Sequence, residues 1–275
     1  MNQTPETIAP IRTNPSGAVR LIRAAIMLFL LADLAVVGFS FGTVFQRNAD
    51  LFELPPARNL AISLRQFLRL EKSYSQMEQD RWVVHSVFPG VRNGYYVDVG
   101  SADGVLISNT KLLDELGWQG VCIEPFPTNM ASRTCRLFQQ PVYDRAGVKV
   151  KFRKAGVLGG IDQNIDSFKE RVKDDQVVEM TTTTLADVLA EAKAPAYIHY
   201  MSLDIEGAEL EALKAFPFEK YRIGALTVEH NFEEPKRSQI REYLVSKGYR
   251  RVRSYLVDDW YTWRDTAPAY GTYVD

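Results

Sequence analysis

The chain has 275 residues, 46% apolar and 24% charged, and a formal net charge of −1 from 33 basic and 34 acidic side chains. That length accommodates one α/β domain of about 200 residues plus an extension. The balanced charge gives no footprint for nucleic-acid binding, and two cysteines are too few for a disulfide framework.

Residues 1–23 read as an N-terminal tail. Ala24 to Phe45, AAIMLFLLADLAVVGFSFGTVF, is 22 residues with one charge. As a helix it is about 33 Å long, enough to cross a bilayer, and no small-residue cleavage site stands out. We read residues 24–45 as an uncleaved, single-pass transmembrane helix. Asp33 costs about 3 kcal/mol on insertion scales, which the apolar neighbours absorb. Arg12, Arg20 and Arg23 precede the span and Arg47, Arg58 and Arg65 follow it, so basic residues do not choose an orientation.

Residues 46–89 read as a helical linker. Pro55-Pro56 breaks any helix leaving the membrane. Leu60, Leu64, Phe67 and Leu68 then recur at helical spacing. A second helix is expected over about Gln76 to Phe88, stopped by Pro89-Gly90. His85 within it is expected to be a surface or packing residue.

Residues 90–275 carry the domain. Tyr95 to Val99 is β-rich and runs into a turn with Gly100 and Gly104. A helix-like segment follows, then Val121–Cys122–Ile123, ending in Glu124. Strand, tight turn, helix, strand and acid make the first half of a nucleotide-binding α/β unit. A pyrophosphate cofactor favours bare backbone N–H groups in that turn. Here the turn carries two carboxylates, Asp98 and Asp103, which repel phosphate and attract an ammonium or sulfonium. The G-x-x-x-G spacing also departs from the dinucleotide fingerprint G-x-G-x-x-G.

After Glu124, Pro125 to Phe138 is expected to be helical and to contain Cys135. Cys122 and Cys135 are expected to be reduced packing residues. The third strand is placed at Pro141–Asp144 and a half-buried strand at Val148–Phe152. Gly156–Gly160 reads as a loop, and Ile165–Lys173 as charged and helix-prone. Thr184 and Asp187 form an [ST]-x-x-[DE] box that starts a helix over Leu185–Lys193. Tyr197–Leu203 reads as a buried strand ending in Asp204-Ile205-Glu206-Gly207, with a helix beyond it. Ile223–Val228 is another, ending in Glu229-His230-Asn231. Pro235–Lys247 is a helix stopped by Gly248. Arg250–Val257 and Asp259–Arg264 suggest a terminal hairpin. Ligands of open α/β sheets bind beyond the carboxyl ends of the strands, so Asp98, Glu124, Asp204, Glu206, Glu229 and His230 belong to one edge. The helices of the linker are expected to cover that edge.

The set SQMEQDRWVVHSVFPGVRNGYYVDVGSADG, SNT, LGWQGVCIEP and LDIEGAELEAL resembles the FkbM family of S-adenosylmethionine-dependent methyltransferases. The resemblance covers about residues 74–260. It implies a class I, Rossmann-like methyltransferase fold with a mainly parallel seven-stranded sheet. It also implies S-adenosyl-L-methionine as cofactor and O-methylation of a sugar, glycolipid or polyketide-like hydroxyl. By position, Asp98, Gly100, Ser101, Asp103 and Gly104 match the first cofactor loop. Glu124 matches the ribose-binding acid, and Asp204, Glu206 and Gly207 match the D-x-E-G motif.

Methyl transfer to a hydroxyl needs a group that takes its proton. His230 is the first choice for that base, with Glu229 or Glu206 orienting it. A metal-assisted version through Asp204, Glu229, His230 and Asn231 is the lesser alternative. The enzyme would face the cytoplasm, where S-adenosylmethionine is made, and act on a small-molecule, glycan or lipid acceptor. A dinucleotide-dependent oxidoreductase and a non-catalytic interaction module on the same fold are the competing readings.

Overall fold

A computed structural model describes residues 73–266, all within the compact unit Pro56–Asp275. The expected transmembrane segment 24–45 and the first linker helix lie outside the described residues. Among the described residues no helix is long and apolar enough to cross a membrane.

The chain order begins with α1 (Gln79–Arg81), which runs into a π-helical segment, Trp82–Val87. Then come β1 (Tyr95–Val99), α2 (Lys111–Glu115), β2 (Gln119–Ile123), β3 (Arg136–Phe138), β4 (Lys149–Arg153), β5 (Gly160–Ile161) and β6 (Val177–Thr181). α3 (Leu185–Glu191), β7 (Tyr197–Leu203), α4 (Glu209–Lys214), β8 (Arg222–Glu229), α5 (Lys236–Ser246), β9 (Tyr249–Tyr255) and β10 (Asp258–Trp263) complete it. Seven strands form one sheet in the order β3-β2-β1-β7-β8-β10-β9. Within it only β10 runs antiparallel to its neighbours. This is the mixed α/β, mostly parallel sheet of a methyltransferase fold.

Strands covered on both faces read as continuous apolar runs, and the alternation of side chains sorts them into two layers. Val97, Val99, Val121, Ile123, Met201, Leu203, Leu226 and Val228 face Leu185, Leu189, Leu210, Leu213, Ile240 and Leu244 of α3, α4 and α5. On the other face Tyr96, Cys122, Tyr200 and Ala225 meet Val83, Val84, Val87, Phe88, Leu113 and Trp118. Each such apolar side chain contributes about 1.5–3 kcal/mol on full burial. Thr184 caps α3 as its box predicts, accepting the Asp187 N–H at 3.1 Å. Gly248, at φ +92°, ends α5. The terminal hairpin is present as β9 and β10.

The helix read over about Gln76 to Phe88 was expected to cover the ligand edge. It packs instead on a sheet face, because Val83, Val84, Val87 and Phe88 are its buried side. Only its start reaches the edge, where Gln79 Nε2 donates to Asp258 Oδ2 at 2.8 Å. The domain therefore begins before residue 90, and His85 is exposed.

Four expectations between β2 and α3 need correction. No helix spans Pro125–Phe138; a 3-10 turn at Met130–Ser132 leads into β3. The third strand is Arg136–Phe138, whereas Val142 makes only an isolated bridge to Thr183. Ile165–Lys173 is a run of turns. Cys122 and Cys135 are bonded to each other, which fastens the loop before β3 to β2.

β4, β5 and β6 make a separate three-stranded sheet. Arg153 fastens its long connection by donating to the carbonyls of Val172, Lys173 and Asp175 at 3.0, 2.7 and 3.1 Å. Gly160 of β5 lies against Glu206 and Ile205, so this small sheet walls one side of the ligand edge.

Candidate active site

The order of strands reverses between β1 and β7, so the crevice opens at the ends of those two strands. Gly100 follows β1 with φ +86°, and a Cβ there would run into the Asp204 carbonyl oxygen. The Asp204 N–H in turn donates to the Val99 carbonyl at 2.9 Å, and the Gly100 N–H to that of Ile123 at 2.9 Å. Three strand ends are thereby laced at one point. Ser101 Oγ and Asn109 Oδ1 are buried beside it with no hydrogen-bond partner among the described residues. Asn109 Nδ2 donates to Ser202 Oγ at 2.9 Å, which fixes the amide's direction.

Asp98 lies deep under this crevice. Its Oδ2 accepts the Thr110 hydroxyl at 2.5 Å and sits 3.7 Å from Arg133 Nη1. Arg133 also donates to Asp114 at 2.5 Å, to Thr110 Oγ1 at 2.6 Å and to the Gly104 carbonyl at 3.0 Å. Its side chain is 1% exposed. Burial pushes the Asp98 carboxyl above the ordinary range, and Arg133 opposes that. Asp98 was expected to meet the cofactor's ammonium; the structure gives its Oδ2 to Thr110 and Arg133.

Glu124 is buried at the end of β2. Its Oε2 accepts the Ala102 N–H at 2.9 Å and its Oε1 the Phe126 N–H at 2.9 Å. Each carboxylate oxygen has two acceptor positions, so both retain one for a hydroxyl. Burial raises its pKa, and the two amides work against the rise.

Asp103 does something other than expected. Its Oδ1 accepts the Val105 and Leu106 N–H groups at 3.0 and 2.8 Å, and its Oδ2 accepts from Thr128 at 3.1 Å and from Asn129. It clamps two loops together and is a poor candidate for a cofactor contact. Gly104 belongs to the same joint: its N–H donates to the Thr128 carbonyl, and a Cβ would press on Met130.

The other half of the edge is an acid cluster. Oxygens of Asp204, Glu206 and Glu229 lie within 4.8 Å of one another. Burial, then mutual repulsion, drives Glu206 and Glu229 above the ordinary carboxylate range. Asp204 is raised by burial and drawn back by a hydrogen bond from Glu229. Asn231 Nδ2 donates to Glu206 Oε2 at 3.3 Å. Glu209 Oε1 accepts the Ile205 and Gly207 N–H groups at 3.0 Å each and so holds the D-x-E-G turn. Burial lifts Glu209 to about 7 and Asp258 to about 8.

His230 stands at this edge, 4% exposed, with Nδ1 hydrogen-bonded and Nε2 buried without a hydrogen-bond partner among the described residues. Nδ1 accepts the Phe232 N–H at 3.0 Å, which places the ring proton on Nε2. Nε2 faces Asp259 Oδ1 at 3.5 Å. The lone pair that a general base needs is therefore occupied, and burial lowers the pKa further. A cofactor with an adenosyl ribose and a cationic amino acid fits the remaining groups. Glu124 retains acceptor capacity, Ser101 and Asn109 keep buried polar atoms, and Gly100 leaves space a side chain would fill.

A model of the methyltransferase FkbM domain matches residues 98–251, more than half of the 275-residue chain. The chain belongs to the FkbM methyltransferase family. No curated protein and no solved structure matches it. The FkbM match runs from Asp98 to Arg251 and so encloses every expected site residue. It stops before β10, which contributes Asp258 and Asp259 to the edge. Within the FkbM domain, sequence reasoning missed Arg133 and Glu209. Glu209 carried a signal, an acid in the first turn of a helix whose N–H groups need acceptors. Arg133 carried none.

Proposed function

We propose that this FkbM methyltransferase transfers a methyl group from S-adenosylmethionine to a hydroxyl of a sugar, glycolipid or polyketide-like acceptor. The observation that supports the reading best is the joint at Gly100 and Asp204, which gathers Glu124, Ser101, Asn109 and the acid cluster around one crevice. Bound there, S-adenosylmethionine supplies a methyl carbon already activated by its sulfonium. Glu124 would accept the two ribose hydroxyls. Ser101 and Asn109 would use their buried polar atoms on the same molecule. The Asp204–Glu229 pair lies on neighbouring strand ends next to the crevice, so an acceptor hydroxyl there meets a carboxylate. Asp204 takes the proton there, and the role of base passes from His230 to Asp204. His230 instead positions the 229–232 turn through Phe232 and Asp259.

Isothermal calorimetry tests the cofactor. Glu124→Ala is expected to weaken S-adenosylmethionine binding by about 2–3 kcal/mol, the worth of two charge-assisted hydrogen bonds. Unchanged affinity removes Glu124 from the site, and binding of NAD in its place favours the oxidoreductase reading.

The attachment belongs to the same proposal. Residues 24–45 would tether the domain to the membrane on its cytoplasmic side. The full chain should then resist carbonate extraction from membranes, and a chain starting at Pro55 should not need detergent. Extraction of the full chain by carbonate refutes the tether.

A further inference from the structure

The acid cluster asks for more than a proton. Asp204 and Glu206 follow β7 and Glu229 closes β8, so their oxygens converge from two adjacent strand ends. A second, independent feature is Glu229 Oε2. Glu229 is 7% exposed, and this oxygen is sealed from solvent with no hydrogen-bond partner among the described residues. Burying a carboxylate without a partner is expensive, and nature pairs such groups or gives them a metal.

The nearby cations have partners of their own, and Lys236 draws Glu206 down only through its charge. Lys236 Nζ donates to the Gly207 carbonyl at 2.8 Å and pairs with Asp166. Arg237 is held by Asp259 at 3.0 Å and by Ser254 at 2.6 Å. The pocket lined by Glu206, Glu229, His230, Asn231 and Lys236, among others, has room for about 10 Å³, the threshold for a single water-sized occupant.

We propose that Asp204, Glu206 and Glu229 bind one divalent cation of the Mg²⁺ or Mn²⁺ type. An all-oxygen donor set selects hard cations, whereas zinc favours nitrogen and sulfur. His230 is left out of the donor set: its Nδ1 accepts the Phe232 N–H at 3.0 Å, and its Nε2 faces Asp259 Oδ1 at 3.5 Å, outside the carboxylate cluster. The ion's use rests on the methyl-transfer reading: beside the crevice it would lower the pKa of the acceptor hydroxyl. Its binding does not rest on that reading.

The experiment titrates Mn²⁺ into the full chain in detergent and follows the free ion by electron paramagnetic resonance. Saturation at one ion per chain is expected. Glu229→Gln and Glu206→Gln should each weaken it by roughly tenfold or more, as loss of a ligand shell member does. Circular dichroism confirms that each variant is folded, and the second variant stands in if the first is not. Absence of saturable Mn²⁺ binding, or unchanged binding in both folded variants, overturns the site. Mn²⁺ binding with methyl transfer to a surrogate alcohol that is indifferent to chelator supports the site and overturns the ion's role. Mn²⁺ binding without any methyl transfer supports the site and counts against the methyl-transfer reading alone.

Discussion

Gly100 lies directly against the carbonyl oxygen of Asp204, so the loops after β1 and β7 are in backbone contact at the reversal of the sheet. Two requirements meet at this glycine, a φ of +86° and the absence of a Cβ. Gly100→Ala is expected to destabilise the domain by about 2 kcal/mol or more, from left-handed backbone strain plus the displaced carbonyl. Urea unfolding measures it. A change below about 0.5 kcal/mol, the level of ordinary surface substitutions, would mean that the two loops separate freely.

Arg133 holds Asp98 and Asp114 together inside the domain. Arg133→Met leaves both carboxyls buried without their cation, which costs about 3–5 kcal/mol for a buried pair broken on one side. Adding Asp98→Asn and Asp114→Asn to the same chain should recover part of that loss, since no buried charge is then left unpaired. Chemical denaturation of the two variants checks it; a triple variant as unstable as the single one would argue for packing as the cause.

Asp259 sets an acid limb of stability. Burial alone would raise its pKa, but the facing His230 and Arg237 side chains outweigh that and hold it far below the usual carboxylate range. Arg237 lies at 3.0 and 3.3 Å, Arg251 at 3.3 and 3.5 Å, His230 Nε2 at 3.5 Å and the Tyr261 hydroxyl at 3.4 Å, with Asp258 its neighbour in β10. A folded pKa below the unfolded value of about 3.9 stabilises at higher pH and loses that contribution as pH falls through and below it. Asp259→Asn should therefore be less stable at pH 7 and lose less on acidification from about pH 5 downward. Melting temperatures across pH 3–7 decide; parallel curves for the two proteins would exclude Asp259 as the source.

The Cys122–Cys135 bond closes a short loop, with a sequence separation of 13, that contains Arg133. Cys135→Ser is expected to cost about 2–3 kcal/mol by the chain-entropy argument for a loop of this size. Thiol titration of the unfolded, unreduced protein should find no free thiol. Two free thiols would show a reduced pair, the state that cytoplasmic surroundings favour.

Much of the edge was readable because β2, β7 and β8 are apolar runs that end abruptly in acids. Tyr197–Leu203 is the same in sequence and structure, and the hairpin expected from Arg250–Val257 and Asp259–Arg264 is present as β9 and β10. β3 escaped notice because Arg136–Leu137–Phe138 is three residues long and takes its identity from pairing with β2. β6, Val177–Thr181, hid in a charged stretch, since its side chains alternate between exposed and half-buried. The site's errors have a single origin. His230 stands where a base should stand, but the direction of its ring depends on Phe232 two residues on and on Asp259 from another strand. Arg133 and the disulfide likewise depend on contacts made across the fold, which spacing along the chain does not encode.

The small sheet of β4, β5 and β6 shares no strand with the large one, and Arg153 ties its long connection to itself. Residues 154–175 add no rung to the seven-stranded ladder, yet Asp166 pairs with Lys236 and Ser167 Oγ donates to the Asn231 carbonyl at 3.2 Å. Gly160 also stands beside Glu206. The flank that meets an incoming acceptor is thus built apart from the strands that carry the acids, and contact between the two is made by side chains and turns rather than by a shared ladder.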